Sequence, residues 1–156
     1  MKKIMFISST GGHLTELLQL SPMFLKYDCK IITEKTKSNL SLREKYDNKI
    51  SYLIYGTKDH IFSYPFKLIA NCFISLFHYL KYRPDYIITT GAHTAGPMCL
   101  LGKIFGSKVI FIESFANIKT KTITGKLLYK PSDLFVVQWE KMKDLYPNSI
   151  YGGWIY

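Results

Sequence analysis

Acidic residues are scarce in this chain: 11 aspartates and glutamates stand against 21 lysines and arginines in 156 residues, a formal net charge of +10. So basic a balance calls for an anionic partner, whether a phosphate-bearing ligand, a nucleic acid or a membrane surface, and says nothing about fold. Cysteine is scarce too. Cys29, Cys72 and Cys99 lie far apart in apolar runs with none of the spacings of metal sites or disulfide frameworks; buried, reduced thiols are expected, and no metal. The apolar run Ile4–Ile7 is too short for a signal peptide. Neither G-x-G-x-x-G nor G-x-x-x-x-G-K-[ST] occurs, which argues against dinucleotide and P-loop chemistry. Glu34 stands just past the second strand-like run, where a ribose-binding acid would sit, but Lys35 and Lys37 crowd it. No recognised nucleic-acid motif is present, and the aromatics gather in one apolar stretch rather than among the lysines, so a nucleic-acid-binding module is the weaker reading and no nucleic acid is expected as partner.

What the chain does contain is alternation. Strand-like runs recur at Lys3 to Ser8, Cys29 to Thr33, Ile50 to Tyr55, Tyr86 to Thr90, Lys108 to Glu113 and Leu134 to Gln138, with helical stretches between most of them, the first from Leu14 to Leu25. The expected fold class is α/β: a Rossmann-like, mostly parallel sheet with helices on both faces. Near-continuous Ile, Val, Phe and Tyr in the strands fit a sheet covered on both sides. The length suits a single domain over residues 1–156. After a last short strand candidate the chain stops at Tyr156, where a second domain would be expected to begin.

In doubly wound sheets ligands bind beyond the carboxyl ends of the strands. Three post-strand loops are unusual there. The first, Ser8-Ser9-Thr10-Gly11-Gly12-His13, leads into a helix whose free amides and dipole favour an anion. The second, Thr89-Thr90-Gly91-Ala92-His93-Thr94, also carries a histidine and opens a helix; the third, Glu113-Ser114-Phe115-Ala116-Asn117, starts with the only acid between Asp85 and Asp133. The three can converge on one crevice. His13 and His93 suit phosphate binding or general-base work, while His60 and His78 read as structural. A basic run, Lys119, Lys121, Lys126 and Lys130, could flank the crevice or be a solvated face.

From His60 to Pro84 there is no acidic residue. Leu68 to Leu80 is apolar apart from Asn71, Ser75 and His78, which share one narrow helical stripe continued backwards by Lys67. A helix packed on a sheet needs only one apolar face. Either this helix is wholly buried, or it lies in a membrane interface, with Phe62, Tyr64, Phe66, Phe73, Phe77, Tyr79 and Tyr82 at headgroup depth and Lys67 and Lys81 on anionic lipid.

In order along the chain, Ser-Ser-Thr-Gly-Gly-His-Leu-Thr-Glu-Leu from position 8, Thr-Thr-Gly-Ala-His-Thr-Ala-Gly-Pro from 89, Glu-Ser-Phe-Ala-Asn from 113, Thr-Gly-Lys-Leu-Leu-Tyr from 124 and Val-Gln-Trp-Glu from 137 resemble the polysaccharide-biosynthesis family of PssD and CpsF type. That family is similar to the fourteenth Alg (asparagine-linked glycosylation) protein. More distantly, the glycine loops resemble the N-terminal domain of the MurG glycosyltransferase. The resemblance implies the N-terminal, acceptor half of a GT-B glycosyltransferase split over two chains. It implies an acceptor-binding, membrane-recruiting and activating subunit that works with a donor-binding glycosyltransferase partner on a polyisoprenyl-diphosphate-linked sugar, in capsule or exopolysaccharide assembly. No cofactor is implied, and the UDP-sugar donor would sit mainly on the partner chain. Carried over position by position, His13 and Glu113 become the catalytic candidates. Ser9, Thr10, Gly11, Gly12, Gly91, Ala92, His93, Thr94 and Asn117 become the diphosphate contacts, and Phe62, Phe66, Lys67, Phe73, Phe77 and Lys81 the membrane contacts. One departure is Asn117, which stands where the family usually has arginine. The long N-terminal membrane helix of eukaryotic members is lacking, so the expected location is cytoplasmic and peripheral on the inner face of the cell membrane. A self-sufficient small glycosyltransferase is the competing enzyme reading.

Overall fold

The computed structural model describes residues 1–56 and 64–155. Its strands are β1 (Lys3–Ser8), β2 (Asp28–Glu34), β3 (Ile50–Leu53), β4 (Tyr86–Gly91), β5 (Lys108–Ile112), β6 (Leu134–Val137) and β7 (Ile150–Tyr151). The helices are α1 (Gly12–Leu18), α2 (Met23–Lys26), α3 (Leu42–Tyr46), α4 (Tyr64–Tyr82), α5 (Ala95–Ile104) and α6 (Ile123–Leu128). The strands form one sheet in the order β3-β2-β1-β4-β5-β6-β7, every neighbouring pair parallel. This is the doubly wound Rossmann order, with its switch point between β1 and β4.

Strands β1 to β6 feed two cores because successive side chains point to opposite faces. Ile4 and Phe6 of β1 join Leu17 of α1, Phe24 of α2 and Ile31 of β2 on one side. Met5 and Ile7 join Tyr79 of α4 and Met98 and Cys99 of α5 on the other. That division explains the unbroken apolar runs of the strands.

Three expectations are corrected. The run Leu14 to Leu25 is two short helices, because the chain turns at Leu20–Pro22, where proline sits just ahead of α2 and its missing N–H is least costly. Glu113 and Gln138 lie one residue past their strands, in the loops. Of the three cysteines, Cys29 and Cys99 are buried and Cys72 is exposed; burial pushes the Cys99 thiol up to about 12.

The long helix α4 is set with its polar stripe inward. Asn71, Ser75 and Tyr79 are its buried residues. The Asn71 carboxamide accepts from the N–H of Ile54 and donates to the same residue's C=O, both at 2.8 Å. The Tyr79 hydroxyl lies 2.7 Å from the Ser107 hydroxyl, which itself donates to the Pro84 carbonyl at 2.6 Å, so Tyr79 is the donor of the pair. Phe66, Ile69, Phe73, Phe77 and Leu80 therefore face outward. Their spacing of three and four residues makes one continuous stripe, about 20 Å long at 1.5 Å per residue. The sequence alternative of a wholly buried helix is excluded, and so is headgroup depth for Tyr79, which is core, and for Tyr82, which packs against the core.

Candidate functional site

Beyond β1 the chain passes to α1 on one face of the sheet, and beyond β4 to α5 on the other. The two loops part there and leave a crevice. They stay joined at its floor, where the Ser9 N–H donates to the Gly91 carbonyl at 3.3 Å and the β1–β4 register shifts between Ile7 and Ser8. Gly91 has φ +103°, a left-handed conformation that favours glycine. The crevice encloses about 460 Å³ and is walled by His13, by residues 90–93, by Tyr64 at the start of α4, by Phe111 and Glu113, and by residues 121–124 leading into α6.

His13 is held in one orientation. Its Nδ1 lies 2.9 Å from the Thr90 carbonyl, and the Thr90 hydroxyl donates to the His13 carbonyl at 2.6 Å. A carbonyl can only accept, so Nδ1 carries the hydrogen and Nε2 of the neutral ring is a lone pair. Among the described residues none bonds that nitrogen, and the ring lines the crevice. A lone pair so placed can accept a proton or a hydrogen bond from a ligand.

Glu113, 1% exposed, forms the opposite wall, but its carboxylate is already engaged. It accepts from the Ser114 N–H at 2.9 Å, the Thr122 hydroxyl at 3.0 and 3.1 Å, and the Tyr146 hydroxyl at 2.7 Å. Thr122 in turn caps α6 by accepting the Gly125 N–H at 2.8 Å. A methyl at Gly125 would collide with Glu113 and Tyr146, so the glycine is what lets helix and carboxylate meet. Burial, and then the Glu113 carboxylate, push the Tyr146 hydroxyl far up from its ordinary value, which keeps it a donor. Lys121 brings positive charge to this wall, its Nζ 5.1 Å from the Tyr146 ring centroid.

Two further buried acids support the loops. Glu16 of α1 accepts from the Phe115 N–H at 2.8 Å and the Ser114 hydroxyl at 3.3 Å, fastening the first helix to the loop after β5. Glu34 accepts from the Thr10 N–H at 3.3 Å. Burial raises both carboxyls from their ordinary value. From sequence Glu34 reads only as a ribose-binding acid, set aside because Lys35 and Lys37 crowd it, and Glu16 looks like any helix-surface acid until its buried partner is seen.

Of the candidates read from the sequence, the crevice gathers His13, Gly91, Ala92, His93 and Glu113. Ser9, Thr10, Gly11 and Gly12 stand outside its lining. Ser9 and Thr10 are taken up in the loop's own bonds. A methyl on Gly11 or Gly12 would meet nothing within 4 Å. The helix they open, α1, is only seven residues long, so the dipole argument for an anion there is weak. Thr94 is buried beneath the second loop. Asn117 turns away, its carboxamide oxygen accepting from Thr120 at 2.9 Å. Sequence reasoning missed Tyr64, Thr122 and Thr124 as lining residues, since only the fold brings α4 and α6 to this edge.

Of the membrane candidates, Phe66, Phe73 and Phe77 are 74%, 69% and 61% exposed. Lys81 is exposed with its Nζ 5.9 Å from the Phe77 ring centroid, Lys67 is half-buried with its stem against Gly56, and Phe62, like His60, lies outside the described residues. Among the described residues no helix is long and apolar enough to cross a membrane, and no group of three or more His, Cys, Asp or Glu residues could hold a metal ion.

The family model described as "Oligosaccharide biosynthesis protein Alg14 like" matches residues 4–155, nearly the whole chain. The chain belongs to the Alg14 family. Among its relatives, the UDP-N-acetylglucosamine transferase subunit ALG14 of Mus musculus is 28% identical over 97% of this chain and 82% of its own length. The Homo sapiens protein of the same name is 28% identical over 96% and 81%. That of Saccharomyces cerevisiae is 42% identical, over 35% of this chain and 23% of the yeast protein. Of the two names the motifs resembled, it is Alg14 that is shown. Among solved structures, Acinetobacter baumannii MurG superposes with a TM-score of 0.72 at 19% identity, over 90% of this chain and 43% of MurG. The UDP-GlcNAc 2-epimerase of Methanocaldococcus jannaschii gives 0.67 at 17%, over 91% and 41%. The chain thus spans less than half of these two structures, and at such identities the likeness is one of fold.

Proposed function

We propose that this chain is the acceptor-binding, membrane-recruiting and activating subunit of a two-chain glycosyltransferase. The observation that carries the reading is that α4 begins in the crevice and leaves it apolar. Tyr64, its first residue, lines a crevice with histidines on one wall and Lys121 on another. Two residues on, Phe66 opens the outward apolar stripe that runs to Leu80. A ligand with an anionic head and a long hydrocarbon tail, a polyisoprenyl-diphosphate-linked sugar, matches that succession. Residues 1–156 form one domain in this reading, the acceptor half of a GT-B pair, held peripherally on the cytoplasmic face of a membrane by Phe66, Phe73, Phe77 and Lys81. The relatives' name, UDP-N-acetylglucosamine transferase subunit, supports a donor of that class bound mainly by a separate partner chain. The aromatic end of the chain, where Trp154 packs on Phe115 and Trp139, is the surface we assign to that partner. His13 is the catalytic candidate, with Nε2 accepting the proton of the attacking hydroxyl. Glu113 positions Thr122 and Tyr146, its own lone pairs being largely occupied. The likeness of the motifs to the PssD and CpsF type supports a capsule or exopolysaccharide as the product.

The test is turnover of UDP-N-acetylglucosamine onto an isoprenyl-diphosphate-sugar acceptor by the purified chain alone and with its co-purifying partner. Transfer only by the pair is expected. Robust transfer by the single chain would establish the self-sufficient enzyme and remove the subunit model.

A further inference from the structure

The arrangement of Glu34 and His93 has no role in the account above. Glu34 is 1% exposed; one carboxylate oxygen holds the Thr10 N–H, and the other, Oε1, lies within no hydrogen bond among the described residues. The Nε2 of His93 is likewise buried and in no hydrogen bond among the described residues, and the two atoms face each other at 3.7 Å. Buried polar atoms left unpaired cost stability, and natural structures contain few of them. Here two complementary ones stand just beyond hydrogen-bond reach of each other. The Tyr64 ring lies against the imidazole at a centroid distance of 5.5 Å, and Ala92, at φ +59°, turns the chain into the position that presents it. With Nε2 turned toward Glu34, Nδ1 is the ring's remaining polar atom, on a side chain that lines the crevice.

We propose that Glu34 is a positioning residue: its carboxylate takes a hydrogen bond from Nε2–H of His93 and favours the doubly protonated ring, whose Nδ1–H then donates to a phosphate oxygen in the crevice. This rests on the reading of the crevice as a diphosphate site. The two histidines then have opposite polarity. Thr90 leaves the neutral His13 ring a lone pair, whereas the Glu34 carboxylate, by accepting from Nε2–H, stabilises the imidazolium form of His93 in which Nδ1 also carries a hydrogen. Among the described residues the other titratable groups that line the crevice are Tyr64, His13, Lys121 and the engaged Glu113; the buried oxygen that faces His93 is that of Glu34.

The experiment is side-chain ¹⁵N NMR of the histidines in the whole chain, with inorganic diphosphate as the probe. In the unaltered protein, neutral His93 is expected as the Nε2–H tautomer and neutral His13 as the Nδ1–H tautomer. Glu34→Gln is expected to lower the titration midpoint of His93 by about one unit while leaving that of His13 in place. The same change is expected to weaken diphosphate binding about tenfold. Glu34→Asp, which keeps the charge, should recover part of both. An Nδ1–H tautomer at His93, or a Glu34→Gln midpoint within about 0.3 units of the original, overturns the proposal. The tautomer measurement needs no variant, so a Glu34→Gln protein that fails to fold leaves it decisive. If diphosphate shifts neither histidine, the acceptor-site reading fails and the donor role with it, while the tautomer still decides whether Glu34 sets the ring.

Discussion

Replacing Phe73 and Phe77 together by serine separates membrane contact from folding. The two rings are 69% and 61% exposed, and a phenylalanine offers roughly 200 Å², so about 130 Å² of each is available to lipid. Immersing half of that at ~25 cal/mol per Å² gives about 1.5 kcal/mol per ring, about 3 kcal/mol for the pair. At 1.4 kcal/mol per decade, partition onto vesicles falls on the order of 100-fold. Stability should barely move, since surface substitutions stay within about 0.5 kcal/mol. The assay is co-sedimentation with phosphatidylglycerol-containing vesicles, read beside the thermal midpoint. Unchanged partition with an unchanged midpoint would refute the membrane contact. A midpoint lowered by several degrees would refute the outward setting of α4 itself, because these rings would then be core.

Three further outcomes follow from the crevice. His13→Ala should lower turnover of the reconstituted pair by about 100-fold or more while leaving subunit pairing, measured by gel filtration, intact; full activity would remove His13 from the reaction. Tyr146→Phe deletes one donor to Glu113 and should cost about 1–2 kcal/mol, visible in a denaturant titration, and a neutral result would show that the Glu113 network does not brace α6. Glu16 has a folded-state carboxyl raised by burial above its ordinary 4.5. The folded state therefore holds the proton more tightly, and the native protein loses stability as pH rises through the raised value. Glu16→Gln should accordingly have the higher thermal midpoint at neutral pH, with the gap closing on acidification toward 4.5; a gap that is constant with pH would contradict the assignment.

The sheet and its crevice loops were readable because both are local signals. Continuous apolar strands such as Ile4–Ile7 and Ile87–Ile88 announce a sheet covered on both faces, and glycine at 91 announces a turn. His13 was readable for the same reason, being fixed to the helix that follows its loop. What the sequence left open depends on rotation and on distance along the chain. The periodicity of Asn71, Ser75 and His78 defines a stripe but not which way it faces, and a polar stripe is ordinarily turned to solvent. Here Ile54, 17 residues away, and Ser107, 28 residues from Tyr79, supply the inward partners. Glu113 illustrates the other limit. A lone acid at a strand end suggests catalysis, but its engagement comes from Tyr146, 33 residues on. Asn117 stands outside the crevice lining, its carboxamide oxygen accepting from Thr120 three residues on, a local bond that the motif alone does not reveal.

The bond between Asn71 and Ile54 has a second effect, on solubility. β3 is the outermost strand of its side of the sheet, and Leu53 directs its carbonyl inward, to the N–H of Lys35. Ile54, one residue on, points its N–H and C=O the opposite way, along the open edge. An unpaired strand edge invites another chain to add to it, and a protein with an apolar stripe close by would be doubly exposed to such association. The Asn71 carboxamide occupies both groups at once, as the backbone of a neighbouring strand would. One side chain thus fastens the helix that displays the apolar stripe and occupies the backbone groups of the residue that follows the edge strand.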